Sequence, residues 1–449
     1  MKRVSTFAML LAALAVAVPA SAQLAQPKQR QGRPVRGLFA NGSGDTGQQL
    51  VLNLSFGAGY DKDKGGPANG GPGQPPIIQP DRSGSYGNGS ASLSYGLLWE
   101  KIQAGATLGS HFRYRNQTDD FTQSAGAQAF VSSQLTTKTS LAASTSVSRQ
   151  PHNLGMLYGS WYAAGEAIDP LMDLSGATGT GSSLSVNTSA SFNQSITQRI
   201  GLSASYGHHQ HGGWYGTSTK SYTDTLSAGI YYSLFRGARL RVAYGTVSSR
   251  YGAAGTKTTY DGLMADGGLD LGRAISLTRR LTFGFSTGVS GARTEGGDLH
   301  YVLTGHSTLS YEIGRSWTSS LSFHRGVDYS QGLGLPVIID SVSAGVSGDL
   351  GRRVQVSAGG GFVSGNVGAG LSGAGGSSYK VATGNASVRT ALTRTTGVSV
   401  HYAYRHYRFG DPAALPIGLR ANADRHTVRA SLDLWVPLIT RARRPNASR

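Results

Sequence analysis

Large apolar side chains recur at every second position along most of this chain. In the C-terminal stretch Val428, Ala430, Leu432, Leu434, Val436 and Leu438 share one face, while Arg429, Ser431, Asp433 and Trp435 take the other. Before it, Val398, Val400, Tyr402 and Tyr404 oppose Ser399, His401, Ala403 and Arg405. Near the start, Leu50, Leu52, Leu54, Phe56 and Tyr60 oppose Asn53, Ser55, Gly57 and Gly59. A period of two is that of a β-strand with one apolar face. The alternation also runs through Ile102 to Tyr114, Leu141 to Val147, Leu184 to Phe192, Ile200 to Tyr206, Tyr222 to Leu234, Leu240 to Tyr244, Leu281 to Val289 and Tyr301 to Ile313. These runs are about 9 to 13 residues long, the length a tilted strand needs to cross a bilayer.

Short polar or basic turns punctuate the runs: Trp99-Glu100-Lys101, Thr136-Thr137-Lys138, Thr197-Gln198-Arg199, Arg236-Gly237, Thr278-Arg279-Arg280, Gly314-Arg315-Ser316, Gly351-Arg352-Arg353 and Thr393-Arg394-Thr395. Most are spaced by about 36 to 43 residues, and one interval near 60 holds an extra-long connection. Looser Gly-, Asn-, Asp- and Pro-rich segments lie between them. The repeat is strand, tight turn, strand, long loop. Eight tight turns and nine loose loops predict about 18 antiparallel strands, with 16 as the alternative count.

Two soluble architectures share parts of this pattern. A sandwich also alternates, but its strands usually run about five to six residues. A propeller also repeats near 40 residues, but fits four short strands into each period and carries a blade motif. Here each period holds two long strands and no such motif recurs. In lipid, backbone donors and acceptors cannot stay open, so a sheet must close on itself. The expected fold is therefore all-β, a transmembrane antiparallel barrel of 16 to 18 strands with short periplasmic turns and longer extracellular loops. Trp99, Tyr114, Tyr232, Trp317 and Tyr329 fall near strand ends, where interfacial aromatic girdles are expected.

Composition narrows the class. Charged residues are only 14% and hydrophobic ones 39%, while Gly accounts for 65 of 449 residues. Low hydropathy fits a membrane barrel, since only one residue in two meets lipid. No run of 18 apolar residues is present, so no helix spans a bilayer. The absence of Cys excludes disulfides, thiolate-bound zinc and iron–sulfur clusters. No other metal or cofactor is expected. Lys and Arg number 41 against 23 acidic residues, a formal charge of +18. They recur in twos and threes along the chain rather than in one aromatic-laced patch, which speaks against a nucleic-acid surface.

The ends carry their own signals. Lys2 and Arg3, the apolar core Phe7 to Val18 and the small-residue ending Pro19-Ala20-Ser21-Ala22 read as a secretory signal peptide, residues 1–22. Residues 23–47 read as a basic, disordered periplasmic arm. The barrel is expected over 48–439, with a basic periplasmic tail at 440–449.

The signal peptide, hairpin period and strand length together make the chain resemble the bacterial outer-membrane β-barrel proteins, porin-like in size, over about residues 48 to 439. The resemblance is at the level of the class and rests on no diagnostic motif. It implies residence in the outer membrane of a Gram-negative envelope, contact with outer-membrane lipid and lipopolysaccharide, delivery by the barrel-assembly machinery and, for porins of this size, a homotrimer. Such barrels often end in an aromatic residue. Here the tail Thr440 to Arg449 follows the last strand, and Pro437 sits inside that strand.

The inward face collects His111, Arg113, Arg239, Arg241, Arg389, His401, Arg405 and Arg429, against the fewer acids Glu312, Asp328, Asp349 and Asp433. A positive lining lowers the barrier for anions, because a water-filled pore with low-dielectric walls focuses the field. The expected function is a passive, anion-biased diffusion pore for small anionic solutes. A basic lumen also suits an export conduit for an acidic secreted polysaccharide, Arg paired with luminal carboxylates would only brace the wall, and a lumen plugged by residues 150 to 181 would make a non-conducting structural barrel that scaffolds partners. The loop Gln150 to Gly181 is unusually apolar, and Leu154, Met156, Tyr158, Trp161 and Tyr162 are candidates for a constriction folded into the lumen. The Gly- and Pro-rich stretch Asp61 to Gly84 reads as a flexible loop. Arg273 and Arg325 fall on the lipid face, where a charge at mid-membrane costs about 2–4 kcal/mol. A bulge or a position near the rim would relieve them. His208, His209 and His211 cluster in what reads as one loop. Without a nucleophile elbow or matched partners they do not make an enzyme, and none is expected.

Overall fold

Alternating faces, repeated turn residues and closure determine this fold in that order. The computed structural model describes residues 46–66, 75, 83–117, 119–153, 177–213, 220–235, 238–253, 256–271, 275–292, 300–314, 316–329, 336–367, 377–410 and 421–442. The expected signal peptide, most of the basic arm, Arg273 and the candidate constriction residues Leu154, Met156, Tyr158, Trp161 and Tyr162 lie outside them.

The first strands are β1 (Thr46–Gly65), β2 (Gly84–Leu98), β3 (Ile102–Arg115), β4 (Asp120–Gln134), β5 (Thr139–Asn153) and β6 (Ala177–Ser195). Next come β7 (Ile200–Gly213), β8 (Lys220–Phe235), β9 (Ala238–Ala253), β10 (Thr256–Leu271), β11 (Ile275–Ser276) and β12 (Leu281–Ala292). The chain ends with β13 (His300–Ile313), β14 (Trp317–Tyr329), β15 (Pro336–Leu350), β16 (Val354–Val367), β17 (Ser377–Ala391), β18 (Thr396–Phe409) and β19 (Asn422–Ala442). Each pairs antiparallel with its neighbours, and β1 pairs with both β2 and β19, so the sheet closes. Both β10 and the two-residue β11 pair with β12. They are one interrupted stave, and the wall is the expected 18-stranded barrel. Among the described residues there is no helix.

The eight tight turns stand where the sequence places them, each two to four residues long on one rim. Four share one device. Thr136, Thr197, Thr278 and Thr393 accept backbone N–H bonds on Oγ1 from residues two or three further on, at 2.9–3.2 Å. This threonine turn gives the backbone a ready reversal. Gly314 and Gly351 open two other turns with φ of 73° and 75°, a conformation that disfavours any side chain. The opposite rim is less uniform than expected. The connections at 116–119 and 254–255 are as short as the tight turns, while the rest are longer.

The strands run past the expected length, to 20 residues in β1 and 21 in β19. The loop expected from Asp61 therefore begins only after Gly65, and Thr440 to Ala442 belong to β19 rather than to a tail. Pro437 is accommodated at a register shift, where it faces Val51 while Leu50 faces Ile439. A bulge tolerates a residue with no N–H to donate.

Register and exposure assign the faces. The outer face carries Val242, Leu303, Leu226 and Ile230, all more than half exposed. The inner face is polar, with serine pairs crossing between strands at Ser205–Ser227, Ser322–Ser343 and Ser357–Ser387, each 2.6 Å. Trp99, Tyr232 and Trp317 stand at the tight-turn rim and Tyr114 at the other, with Tyr114 and Tyr232 exposed on the outer face. Tyr329 ends β14 at the second rim.

Candidate functional site

The inner wall carries arginine in two separate sectors. The first lies around the seam where β1 meets β19. Asp61 is fully buried on the inner face of β1. It is bonded by Arg113, by Arg115 Nη2 at 2.7 Å, by Arg425 Nη2 at 3.0 Å and by Thr427 Oγ1 at 2.9 Å. Arg113 and Arg115 come from β3, and Arg425 and Thr427 from β19. One carboxylate thus joins three strands at the closure. Tyr86 of β2 adds a fourth, since the Arg113 guanidinium lies 3.5 Å above its ring centroid, a cation–π contact. Gly59 makes room for that ring, because a Cβ there would run into Tyr86.

Three guanidinium groups converge on Asp61, and Asp63, buried on the same inner face, stands opposite Arg425, so the cluster keeps a net charge of about +1 in a buried place, where a low dielectric strengthens every field. Nε and Nη1 of Arg113 and Nε of Arg115 and Arg425 have no acceptor among the described residues. The register extends the cationic strip down the wall, with Arg405 opposite Arg425 and His401 opposite Arg429. His111 sits opposite Ser90 and Ser124 on the same inner face.

The second sector lies on β9 and β10 and is balanced. Arg241 reaches Asp266 at 2.8 Å and Asp270 at 3.0 Å. Arg239 stands opposite Asp270 in the register and lies 5.3 Å from the Tyr231 ring centroid. Elsewhere Arg389 reaches Asp433 at 3.3 Å, and Ser399 donates to the same carboxylate at 2.9 Å.

The eight basic residues expected to line the pore lie on the polar face of their strands, opposite the apolar one. Five of the partners that set their charge were missed: Asp61, Arg115, Arg425, Asp266 and Asp270. The signal for Arg115 and Arg425 was present in the strand pattern, since Arg113 with Arg115 and Arg425 with Thr427 keep the period of two.

Arg325 does face outward, and the structure relieves it in a way the sequence did not suggest. The register of β14 is unbroken there, and Arg325 pairs across strands with Asp340 of β15 at 3.5 Å. His208, His209 and His211 lie in β7 rather than in a loop. His208 bonds Asp224 at 2.7 Å on the outer face, whereas His209 contacts Asn187 on the inner one. Adjacent strand residues point apart, so this tract does not converge on one ion.

No family model and no curated protein matches this chain. Among solved structures, the chain is similar to Pseudomonas aeruginosa OpdO, with a TM-score of 0.43 and 13% identity over 88% of this chain and 99% of that one. It is also similar to the siderophore receptor PirA of the same organism, with a TM-score of 0.39 and 10% identity over 86% of this chain and 80% of that one. OpdK, solved with vanillate, gives 0.38 and 12% over 86% and 99%. The barrel class rests on its own strand pairing.

Proposed function

We propose that the chain is an outer-membrane channel through which small solutes diffuse passively, with a bias toward anions. The observation that carries the reading is the convergence of Arg113, Arg115 and Arg425 on the single carboxylate of Asp61. That excess sits on the inner wall, where a permeating anion gains field energy and a cation loses it.

Two features support the membrane location. The outward apolar side chains form a continuous surface far larger than water tolerates. The closed sheet leaves no open backbone edge, which is the condition for a β-structure in hydrocarbon. Strands longer than the hydrocarbon requires carry the arginine cluster toward the rim with the longer connections, where an entering solute meets it.

Planar-bilayer recording in a salt gradient tests the proposal. The expected result is discrete conductance with a reversal potential on the anion side. Strong cation preference, or no conductance from correctly folded protein, overturns it.

A further inference from the structure

The outer wall is not uniform around the barrel. On β18, β19 and β1 the apolar belt ends at a row containing Tyr402, Val428 and Tyr60, which stand opposite one another. Above it the outward positions turn polar and basic at once. His426 lies between Tyr404 and Lys62, Asp424 lies between His406 and Lys64, and Arg408 stands opposite Lys380 of β17. Lys62, Lys64, Lys380 and Arg408 are all exposed.

Four permanent cations here face one carboxylate. Among the described residues of β17, β18, β19, β1 and β2, Asp424 is the only acid on the outer face. It is already engaged by His406 Nδ1 at 2.7 Å and by Tyr404 OH at 3.0 Å. Tyr402 OH bonds His426 Nδ1 at 2.9 Å, which fixes the aromatic shelf under the cations. Like charges directly opposite on neighbouring strands destabilise a sheet, and Lys380 faces Arg408 in that way. The contrast with Arg325 is instructive, since that cation within the apolar zone is neutralised by Asp340.

We propose that this face, Lys380 and Arg408 on one side and Lys62 and Lys64 on the other, binds the headgroup of a diphosphorylated amphiphile in the surrounding leaflet. The inference rests on the membrane reading above. The nearest members of the two pairs, Arg408 on β18 and Lys64 on β1, lie two strand spacings apart, about 10 Å, and two residues apart along the strands, about 7 Å. Each pair takes one phosphate, the tyrosine shelf meets the sugar or glycerol backbone, and the acyl chains lie along Val428, Val400 and the belt below. A phosphate over Lys380 and Arg408 removes their mutual repulsion, so the ligand supplies an anion that the described residues of this face do not place there.

The test is native mass spectrometry of the full chain in non-ionic detergent, titrated separately with diphosphoryl lipid A, monophosphoryl lipid A and phosphatidylcholine. The expected order of retention is diphosphoryl, then monophosphoryl, with phosphatidylcholine weakest. Lys380→Gln/Arg408→Gln and Lys62→Gln/Lys64→Gln should each weaken diphosphoryl lipid binding about tenfold. Lys101→Gln/Lys138→Gln, on the opposite rim, should not. Equal retention of all three lipids, unchanged affinity in the first two variants, or an equal loss in the opposite-rim variant overturns the site. Insertion into phosphatidylcholine vesicles is scored alongside. Failure to insert sinks the membrane reading itself, whereas insertion without diphosphoryl preference sinks only this site.

Discussion

The seam sector around Asp61 and the β9–β10 sector around Arg241 are built from the same two residue types with opposite bookkeeping. At the seam three arginines share one carboxylate. On β9 and β10 one arginine holds two carboxylates, Asp266 and Asp270, with Arg239 beside them. The first sector exports a field into the lumen, and the second closes its field within the wall. Counting lumen-facing arginines therefore overstates the proposed bias, because only those in excess of their acids would act on a passing ion.

The largest expected effect comes from removing the shared acid. Asp61→Ala leaves Arg113, Arg115 and Arg425 facing one another in a buried place, and should cost about 3–5 kcal/mol of stability. Asp270→Ala leaves Arg241 still paired with Asp266, and should cost about 1–3 kcal/mol. Urea unfolding followed by tryptophan fluorescence in vesicles would measure both. Equal losses would erase the distinction between the sectors.

Selectivity should shift next. Arg113→Gln/Arg425→Gln is expected to lower the anion-to-cation permeability ratio roughly tenfold. In the other sector, Asp266→Asn/Asp270→Asn should raise the ratio by a smaller factor, since it uncovers Arg241 and Arg239 farther from the seam. Reversal potentials read both, and a fall in the second case would contradict the balanced assignment. The mildest effect is that of salt. Raising ionic strength from 0.1 M to 1 M shortens the screening length from about 10 Å to about 3 Å. Wild type and the double arginine variant should then converge in selectivity, whereas a steric origin of the bias would keep them apart.

The outer wall makes the same point about pairing. Removing Arg325 alone strands Asp340 among apolar side chains, so Arg325→Leu should destabilise more than Arg325→Leu/Asp340→Leu. Urea midpoints of the two variants provide the check.

Much of this was legible in the chain itself. The eight turns, the count of 18 staves and the inward placing of Arg113, Arg241 and Arg429 all follow from a period of two. The pattern failed where both faces became polar. From Asp61 to Gly65 the inner positions carry Asp61 and Asp63 and the outer ones Lys62 and Lys64, so no apolar beat marks the strand and the stretch reads as a loop. The same loss of contrast hid the end of β19. Charge balance was illegible for another reason. Arg241 finds Asp266 and Asp270 through the register of β9 with β10, and Asp61 finds Arg425 through closure, neither of which a single strand's pattern encodes.

The hub at Asp61 also sets an order of events. Its partners Arg425 and Thr427 lie 364 and 366 residues further along the chain. While the wall is being laid down stave by stave, the acid on the opening stave can meet Arg113 and Arg115 of β3 early, but its last two partners arrive only with the final stave. A sheet that curled up early, with an intermediate stave against β1, would trap that acid without its clasp. The fastening between the first and last strands is thus complete only in the cylinder of full circumference.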